Sequence, residues 1–175
     1  MPQRIETDKY LMTTDFTKIN WLLMDVDGVM TNGFINYTAS GDEIKSFNVK
    51  DGQGIKIFKR LGFKVGIITG RTSPIVERRA MELQMDFCVQ GREDKLNVFN
   101  QLLKEQKLSP DQFAYIGDDI PDYELLKAVG FSACPKDAVN EVKQVSHYVA
   151  GLNGGCGAVR EVIDFIMMKK GISHV

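Results

Sequence analysis

Short apolar runs alternate with longer amphipathic stretches along most of the chain. The apolar runs predict strands at Trp21–Asp25, Lys64–Thr69, Phe87–Gln90, Phe113–Gly117 and Gly130–Ala133. Between them, apolar residues at three- and four-residue spacing predict helices at Gly52–Leu61, Pro74–Leu83, Asp94–Glu105 and Pro121–Val129. Strands that alternate with helices are typical of a parallel sheet covered on both faces. We therefore predict an α/β fold with a doubly wound, Rossmann-like parallel sheet.

Three segments depart from this alternation. Residues 34–48, "FINYTASGDEIKSFN", contain two short extended runs around Ser-Gly-Asp and predict a β-hairpin. Residues 151–175 combine a Gly-rich tail, "GLNGGCGAVRE", with a C-terminal helix. The helix residues that we expect to be buried are Val162, Ile163, Phe165, Ile166 and Met167. Residues 1–18 carry weak periodicity, and we expect them to be peripheral.

Composition narrows the class of protein. The chain has 175 residues, 43% hydrophobic and 26% charged, which describes one ordinary globular domain, 1–175. The formal net charge is −1 and no long block of like charge occurs, so neither nucleic acid nor a membrane surface is an expected partner. The first 18 residues lack an apolar signal core, and no run approaches the length of a spanning helix. We expect a cytoplasmic protein with a small-molecule or protein partner.

The cysteines do not predict a cross-linked or zinc-binding protein. Cys88, Cys134 and Cys156 are an odd number and lack CxxC spacing. We expect them to be reduced thiols in the core.

Polar clusters follow several of the predicted strands. The first strand ends at Asp25 and Asp27, the second at Thr69-Gly70-Arg71, and the fourth at Asp118-Asp119, with Asp122 three residues on. Lys95 lies near the start of the helix after the third strand. In an open parallel sheet, ligands bind beyond the carboxyl ends of the strands. All of these side chains are therefore predicted to meet at one edge of the sheet.

Each cluster has an ordinary structural explanation when taken alone. Aspartates after strands often cap helices or form turns, and Lys95 by itself would be a solvated helix residue. Acidic clusters that converge on one edge would repel one another unless a cation intervened. Hard oxygen ligands without a histidine cluster indicate Mg²⁺ rather than zinc. With Lys95 and the Thr69 hydroxyl added as donors, the set predicts a phosphoryl site.

The motifs are similar to those of the haloacid dehalogenase superfamily of phosphotransferases. DxDG at Asp25–Gly28, Thr69, Lys95 and GDDxxD at Gly117–Asp122 resemble its four motifs in their order. The resemblance implies that Asp25 is the nucleophile and Asp27 the general acid and base. It also implies that Mg²⁺ is held by the Asp25 carboxylate, the Asp27 carbonyl and Asp118, with Asp119 or Asp122 in support.

The spacing of the motifs leaves no room for a cap domain. Only the hairpin and a helix are predicted between Gly33 and Lys64, and only a helix and a strand between Thr69 and Lys95. An uncapped phosphoryl site is open to water, so it either accepts a macromolecule or borrows a lid. The hairpin and the Gly-rich tail are the two candidate lids within the chain.

Longer stretches resemble the 3-deoxy-D-manno-octulosonate 8-phosphate phosphatase family. They are "DVDGVMTNG", "GDEIKSFNVKDGQGI", "IITGRTSPIVERRA", "YIGDDIPDYELL" and "GGCGAVRE". The resemblance implies a capless homotetramer, in which the hairpin meets neighbouring subunits and the tail can close a neighbour's site. It further implies a phosphorylated sugar acid as substrate, in lipopolysaccharide precursor synthesis. Members often have an arginine within this tail, whereas this chain has Cys156. If the tail closes a site here, it does so without that positive charge.

Several residues are candidates for substrate contact. Nonulosonate 9-phosphate phosphatases, which the chain also resembles, typically carry Glu where this chain has Arg71. A guanidinium there can pair bidentately with a substrate carboxylate, which favours the eight-carbon acid. Arg79, and Arg78 beside it, are further candidates, although a helix of this pattern leaves one of them solvated. The other candidates are Thr31, Asn32, Gly33 and Gly70, with turn formation as the alternative role for Thr31 and Asn32.

Two other functional classes share some of these features, and one residue of the resembling stretches has a structural explanation. A receiver-type signalling module uses similar residues, but its acidic pair comes first and its acceptor on a middle strand. A binding-only relative is expected to lack Asp25 or Asp27, and both are present. Asp51 stands near the start of a predicted helix, where capping explains it. His147 and His174 belong to none of these motifs, and no role is assigned to them.

Overall fold

The computed structural model describes residues 14–173. The strands in this part of the chain are β1 (Trp21–Met24), β2 (Asn36–Tyr37), β3 (Glu43–Ile44), β4 (Lys64–Ile68), β5 (Phe87–Val89), β6 (Phe113–Ile116), β7 (Phe131–Cys134) and β8 (Tyr148–Val149). The α-helices are α1 (Val49–Arg60), α2 (Pro74–Glu82), α3 (Lys95–Gln106), α4 (Tyr123–Ala128), α5 (Asn140–Val145) and α6 (Ala158–Lys169). Short 3₁₀ turns lie at Phe16–Lys18, Pro110–Gln112 and Ile120–Asp122.

The main sheet is parallel, with strand order β5-β4-β1-β6-β7-β8. The chain runs outward from β1 through β4 to β5, and then crosses back to place β6, β7 and β8 on the other side of β1. This reversal creates a crevice at the carboxyl ends of β1 and β6, where α/β proteins bind ligands. The predicted doubly wound α/β sheet is confirmed.

The sheet separates two apolar clusters because successive strand residues point to opposite faces. Leu22 and Met24 belong to the cluster that includes α1, α2 and α6. Trp21 and Leu23 belong to the cluster that includes α3, α4 and α5. With helices on both faces, all four residues of β1 are buried, which explains why this strand appears in the sequence as a continuous apolar run.

The predicted strands differ from the observed ones mainly at their carboxyl ends. Four were predicted one residue too long, because Asp25, Thr69, Gln90 and Gly117 lie directly after the last residue of their strands and begin the loops. Helix α1 begins at Val49 instead of Gly52, since two glycines weaken its apolar periodicity. The short elements α5 and β8 were not predicted.

The hairpin of β2 and β3 pairs Asn36 with Ile44 and Tyr37 with Glu43. In the described residues, the hairpin and α1 occupy the chain between β1 and β4, and α2 and β5 occupy the chain between Thr69 and Lys95. No inserted domain covers the crevice within this part of the chain. Among residues 14–173, every helix is too short or too polar to cross a bilayer.

Some expectations about burial are corrected. Phe16 is buried and its ring lies 5.0 Å from that of Phe131, so the end of the 1–18 segment joins the core, while residues 1–13 lie outside the described range. Of the cysteines, only Cys134 is buried, whereas Cys88 and Cys156 are exposed. The expectation of three core thiols was therefore wrong, because β5 is an edge strand and Cys156 lies in a surface turn.

The expectation that Asp51 caps α1, the helix in which it lies, was also wrong. Asn48 caps α1, since its side chain accepts a hydrogen bond from the Lys50 amide at 2.8 Å. Asp51 is buried, and its carboxylate accepts a hydrogen bond from the Arg160 amide at 2.8 Å. The carboxylate thus stabilises the first turn of α6, a helix distant in sequence.

Candidate active site

Asp25 begins a tight loop at the end of β1. Its amide donates to the carbonyl of Ile116 at 3.0 Å, and the carbonyl of Val26 then accepts three successive amides, which turns the chain sharply. Gly28 follows with φ +92°, a conformation that side chains rarely adopt. A Cβ on Gly28 would also lie 2.0 Å from a carboxylate oxygen of Asp118. The glycine of DxDG therefore allows both the turn and the close approach of Asp118.

Lys95 places a cation between two carboxylates. Its Nζ lies 2.8 Å from Oδ2 of Asp25 and 2.6 Å from Oδ1 of Asp122, and its side chain is 1% exposed. Burial alone lowers the pKa of Lys95, but the charges of Asp122 and Asp25 outweigh burial and raise the pKa above its usual value. The ammonium therefore stays charged inside the site.

Asp122 uses both of its oxygens within the protein. Oδ1 accepts from Lys95 and from the hydroxyl of Tyr115, each at 2.6 Å. Oδ2 accepts from the amides of Asp118 at 2.9 Å and Asp119 at 3.3 Å. These bonds hold the loop after β6 in shape, so Asp122 has little capacity left for a further ligand.

Asp118, unlike Asp122, has a side-chain oxygen that is not used within the described part of the protein. Its Oδ1 is buried and has no hydrogen-bond partner among the described residues. Burial, together with the charges of Asp122 and Asp25, raises the pKa of Asp118 to about 8. One oxygen each of Asp25, Asp118 and Asp122 lies within a group 4.8 Å across. An unpartnered buried oxygen beside two other carboxylates fits a hard divalent cation such as Mg²⁺.

The pKa of Asp25 is also raised by its surroundings. Burial is the largest cause, the charge of Asp122 is the next, and together they raise the pKa of Asp25 to about 6 although Lys95 opposes them. Oδ1 of Asp25 accepts the amide of Val26 at 2.7 Å. A cation at Asp118 would favour the ionised form of Asp25 still further.

The other residues predicted at this edge are placed as follows. Asp119 caps the 3₁₀ turn, its Oδ1 accepting the amide of Ile120 at 2.8 Å, and it does not belong to the group of converging oxygens. Thr69 is buried at the end of β4, where its amide donates to Val89 at 3.0 Å. Gly70 follows it, partly exposed.

Thr31, Asn32 and Gly33 form the end of the loop after β1, residues 25–33. The Thr31 hydroxyl accepts the amide of Gly33 at 3.2 Å, and the Asn32 carboxamide oxygen accepts the amide of Phe34 at 3.2 Å. Both side-chain oxygens thus bond to the loop backbone, which is the turn-forming role that the sequence also allowed.

The side chain of Asp27 contacts the hairpin and the loop after β4. Its Oδ1 accepts a hydrogen bond from Lys45, and its Oδ2 lies 3.6 Å from Nε of Arg71. The guanidinium of Arg79 lies 5.4 Å from the Phe47 ring centroid, beside the hairpin. A cavity of about 570 Å³ is lined by Lys45, Phe47, Val49, Pro74, Ile75, Arg78, Arg79 and Glu82.

The Gly-rich stretch packs against the loop after β1 of its own chain. The amide of Gly155 donates to Val29 at 3.0 Å, and the amide of Gly154 to Asp137 at 2.9 Å. A Cβ on Gly154 would lie 1.8 Å from the carbonyl oxygen of Gly28. The glycines are therefore required for contact within the chain, beside any role in closing a site.

Comparison with known proteins agrees with this geometry. Residues 88–163 match the family model of haloacid dehalogenase-like hydrolases. The 3-deoxy-D-manno-octulosonate 8-phosphate phosphatase KdsC of Yersinia pestis is 43% identical over 150 residues, which cover 86% of this chain and 80% of that protein. The chain belongs to this phosphatase family. It is therefore a phosphomonoesterase of the haloacid dehalogenase class.

Two solved structures of this phosphatase family hold metal ions. The Moraxella catarrhalis phosphatase, in complex with magnesium ion, phosphate ion and KDO, is 37% identical, with a TM-score of 0.87 and coverage of 93% of this chain and 92% of that one. The cobalt-bound Haemophilus influenzae phosphatase is 38% identical, with a TM-score of 0.85 and coverage of 89% and 91%. Together with the acidic group found here, these relatives support Mg²⁺ as the cofactor.

Three residues that the structure places in the site were not predicted from the sequence. Lys45 and Glu43 lie on the hairpin, which was predicted as a lid without roles for single residues, and Tyr115 lies in the apolar strand β6. The hairpin's alternation of charged and apolar residues was the available signal for Lys45 and Glu43. Nothing in the sequence around Tyr115 distinguishes it from an ordinary core residue.

Proposed function

We propose that this chain hydrolyses 3-deoxy-D-manno-octulosonate 8-phosphate to the free sugar acid and phosphate, with Mg²⁺, through an aspartyl-phosphate on Asp25. The observation that carries the proposal is the contact of Asp25 with Lys95, next to the unpartnered oxygen of Asp118. A nucleophilic carboxylate, a buried cation and a free metal ligand are the parts that phosphoryl transfer requires. The relatives named as phosphatases of this sugar acid favour it over nonulosonate 9-phosphates.

Asp25 is suited to attack because both of its oxygens are held. Lys95 fixes Oδ2 and the Val26 amide fixes Oδ1, so the carboxylate needs little reorganisation before it meets phosphorus. Splitting one difficult hydrolysis into two displacements suits a phosphate monoester, whose uncatalysed reaction is extremely slow. Asp27, in the same loop, serves as general acid and then as general base.

Mg²⁺ would be held by the Asp25 carboxylate, the Asp27 carbonyl and Asp118. Bound there, it would neutralise charge on the transferring phosphoryl group. Asp122 supports the site from behind, because its four hydrogen bonds fix Lys95 and the Asp118 backbone. Asp119 supports the loop by capping, and Thr69 and Gly70 line the phosphate side of the crevice.

Arg71 is the proposed reader of the substrate carboxylate. Its side chain is 45% exposed at the rim of the site, so a substrate carboxylate can approach the guanidinium and pair with it bidentately in exchange for its present contacts with Glu43 and Tyr37. Arg79 is proposed to contact the sugar from the cavity beside the hairpin, with Arg78 solvated and paired to Glu82. Thr31, Asn32 and Gly33 shape the loop that the sugar hydroxyls approach.

We also propose a homotetramer in the cytoplasm, assembled through the hairpin. Phe34 and Tyr37 are 69% and 61% exposed, and Val49, directly after the hairpin, is 81% exposed. A cluster of large apolar side chains of this kind is typical of a protein contact surface. A neighbouring subunit would then cover the open crevice.

The test is phosphate release from 3-deoxy-D-manno-octulosonate 8-phosphate, an N-acylneuraminate 9-phosphate and glucose 6-phosphate, with Mg²⁺ or with EDTA. We expect the eight-carbon substrate to give the highest kcat/KM, EDTA to abolish turnover, and Asp25→Asn to be inactive. Preference for the nine-carbon substrate would assign the chain to the other activity, and no turnover of any substrate would refute the proposal.

A further inference from the structure

Lys45 is the buried cation of the hairpin. It follows β3, and its side chain is 2% exposed, although most of the hairpin is solvent-accessible. Its Nζ donates to Oδ1 of Asp27 and lies 3.4 Å from Oε1 of Glu43. Burying an ammonium is costly unless it is paired, so the contact with Asp27 is the main reason that Lys45 can occupy this position.

Arg71 and Glu43 complete a ring of alternating charge around Asp27. Nη2 of Arg71 lies 3.1 Å from Oε1 of Glu43, and its Nε lies 3.6 Å from Oδ2 of Asp27. The hydroxyl of Ser73 donates to the other oxygen of Glu43 at 2.5 Å. The ring connects the hairpin to the loops after β1 and β4.

The two cations do not hold Asp27 equally. Lys45 makes a hydrogen bond to Oδ1 from a buried position, whereas Arg71 lies beyond hydrogen-bond distance of Oδ2 and is largely exposed. Oδ1 is therefore occupied, and Oδ2 is the oxygen free to exchange a proton with the substrate. This asymmetry would orient the carboxylate before the substrate arrives.

We propose that Lys45 is a positioning residue, which holds Oδ1 of Asp27 so that Oδ2 delivers the proton to the leaving oxygen. The inference rests on the proposed function, because it assigns Asp27 as general acid. It adds the hairpin of the same chain to the catalytic apparatus, in addition to its proposed role at the subunit contact.

The chemistry balances as two displacements. In the first, an oxygen of Asp25 bonds to phosphorus while the bond from phosphorus to the sugar oxygen breaks. That oxygen keeps the electron pair and takes the proton from Oδ2 of Asp27. In the second, a water oxygen attacks phosphorus and gives a proton to Oδ2, while the bond to Asp25 breaks and its electron pair returns to the carboxylate.

The leaving group distinguishes this role from simple attachment of the hairpin. A sugar alkoxide needs a proton as it departs, whereas 4-nitrophenolate is stable as an anion and does not. Loss of Lys45 should therefore slow the first step for an alkyl phosphate and leave it nearly unchanged for 4-nitrophenyl phosphate. Loss of folding or of the hairpin contact would slow both substrates together.

The experiment measures the single-turnover rate of the first step, with excess Mg²⁺, for the sugar-acid phosphate, glucose 6-phosphate and 4-nitrophenyl phosphate. The variants are Lys45→Met and Lys45→Arg, with Lys56→Met as the control for loss of a lysine, since Lys56 is exposed on α1. For Lys45→Met we expect the alkyl phosphate rate to fall about 10- to 100-fold with little change in KM, and the nitrophenyl rate to stay within about threefold. Lys45→Arg should recover part of the loss, and Lys56→Met should match the wild type.

Equal losses on alkyl and nitrophenyl phosphates, or no loss on either, would overturn the role of Lys45. A wild-type protein that turns over glucose 6-phosphate but not the sugar acid would refute the proposed substrate, yet the leaving-group comparison on glucose 6-phosphate would still test Lys45. The two proposals therefore fail in different measurements.

Discussion

The Nζ of Lys95 lies 2.8 Å from Oδ2 of Asp25, inside the protein and almost completely shielded from water. A cation in contact with a buried carboxylate keeps that carboxylate ionised and offsets the charge of an approaching phosphoryl group. The contact joins the start of α3 to the end of β1, two points 70 residues apart in the chain. The geometry of this pair depends in turn on Asp122, which binds the same ammonium.

Replacing Lys95 by Met is expected to abolish activity and to lower the free energy of unfolding by about 3–5 kcal/mol, because Asp25 and Asp122 lose a shared buried partner. Urea unfolding and steady-state kinetics would measure the two effects. Lys104→Met, an exposed lysine on the same helix, is the matched control and should be neutral. A stable and active Lys95→Met protein would contradict the assigned contact.

Asp122 and Asp119 offer a comparison within one loop. Asp122→Asn weakens four hydrogen bonds to a buried carboxylate and should cost about 2–4 kcal/mol of stability together with at least a hundredfold in kcat. Asp119→Asn keeps a good capping side chain, so its stability should change by less than about 0.5 kcal/mol. Thermal unfolding and kcat measure these losses for both variants. A larger loss for Asp119→Asn than for Asp122→Asn would show that Asp119 is the main support of the loop.

Mg²⁺ binding should strengthen as pH rises. Burial and the neighbouring Asp122 and Asp25 raise the pKa of Asp118 from its ordinary 3.8 to about 8 in the metal-free protein. A raised pKa means that this group stabilises the fold most below its unfolded pKa, and that the contribution is lost as pH rises toward 8. The metal needs the ionised form, so its apparent Kd should fall at least about tenfold between about pH 6 and pH 8.

Asp118→Asn separates these two effects of Asp118. Without the repelling charge, the metal-free variant should unfold at a higher temperature than the wild type at about pH 8, by several degrees. Stabilisation by Mg²⁺, which follows binding to the native state, should be lost. If Mg²⁺ still raised the unfolding temperature of the variant to the wild-type extent, Asp118 would not be a ligand.

Activity should depend on the contact between the Gly-rich stretch and the loop after β1. Gly154→Ala places a Cβ 1.8 Å from the carbonyl oxygen of Gly28, so the loop that carries Asp25 and Asp27 must move, with a loss of at least about tenfold in kcat. Gly151→Ala, where the nearest atom is a carboxylate oxygen of Glu161 at 3.5 Å, is the matched control. Similar activity of the two variants would show that the stretch is not in contact with the loop during catalysis.

The sequence predicted those parts of the molecule that depend on periodicity and on strand ends. Asp25, Lys95 and Asp118 could be placed at one edge because the carboxyl ends of parallel strands meet there. The ring of Lys45, Glu43 and Arg71 could not be predicted, because it depends on how a two-stranded hairpin folds back over the crevice. For the same reason the true contact of Asp51, with a helix more than a hundred residues away, was not accessible from local capping rules.

Nucleophilic catalysis by Asp25 is tested most directly by a rapid-quench experiment with 3-deoxy-D-manno-octulosonate 8-phosphate and Mg²⁺, followed by peptide mass spectrometry. We expect a transient phosphoryl group on the peptide that contains Asp25, formed before free phosphate appears and absent from Asp25→Asn. Free phosphate that forms without any phosphorylated peptide, or a phosphoryl group located on another residue, would contradict nucleophilic catalysis by Asp25.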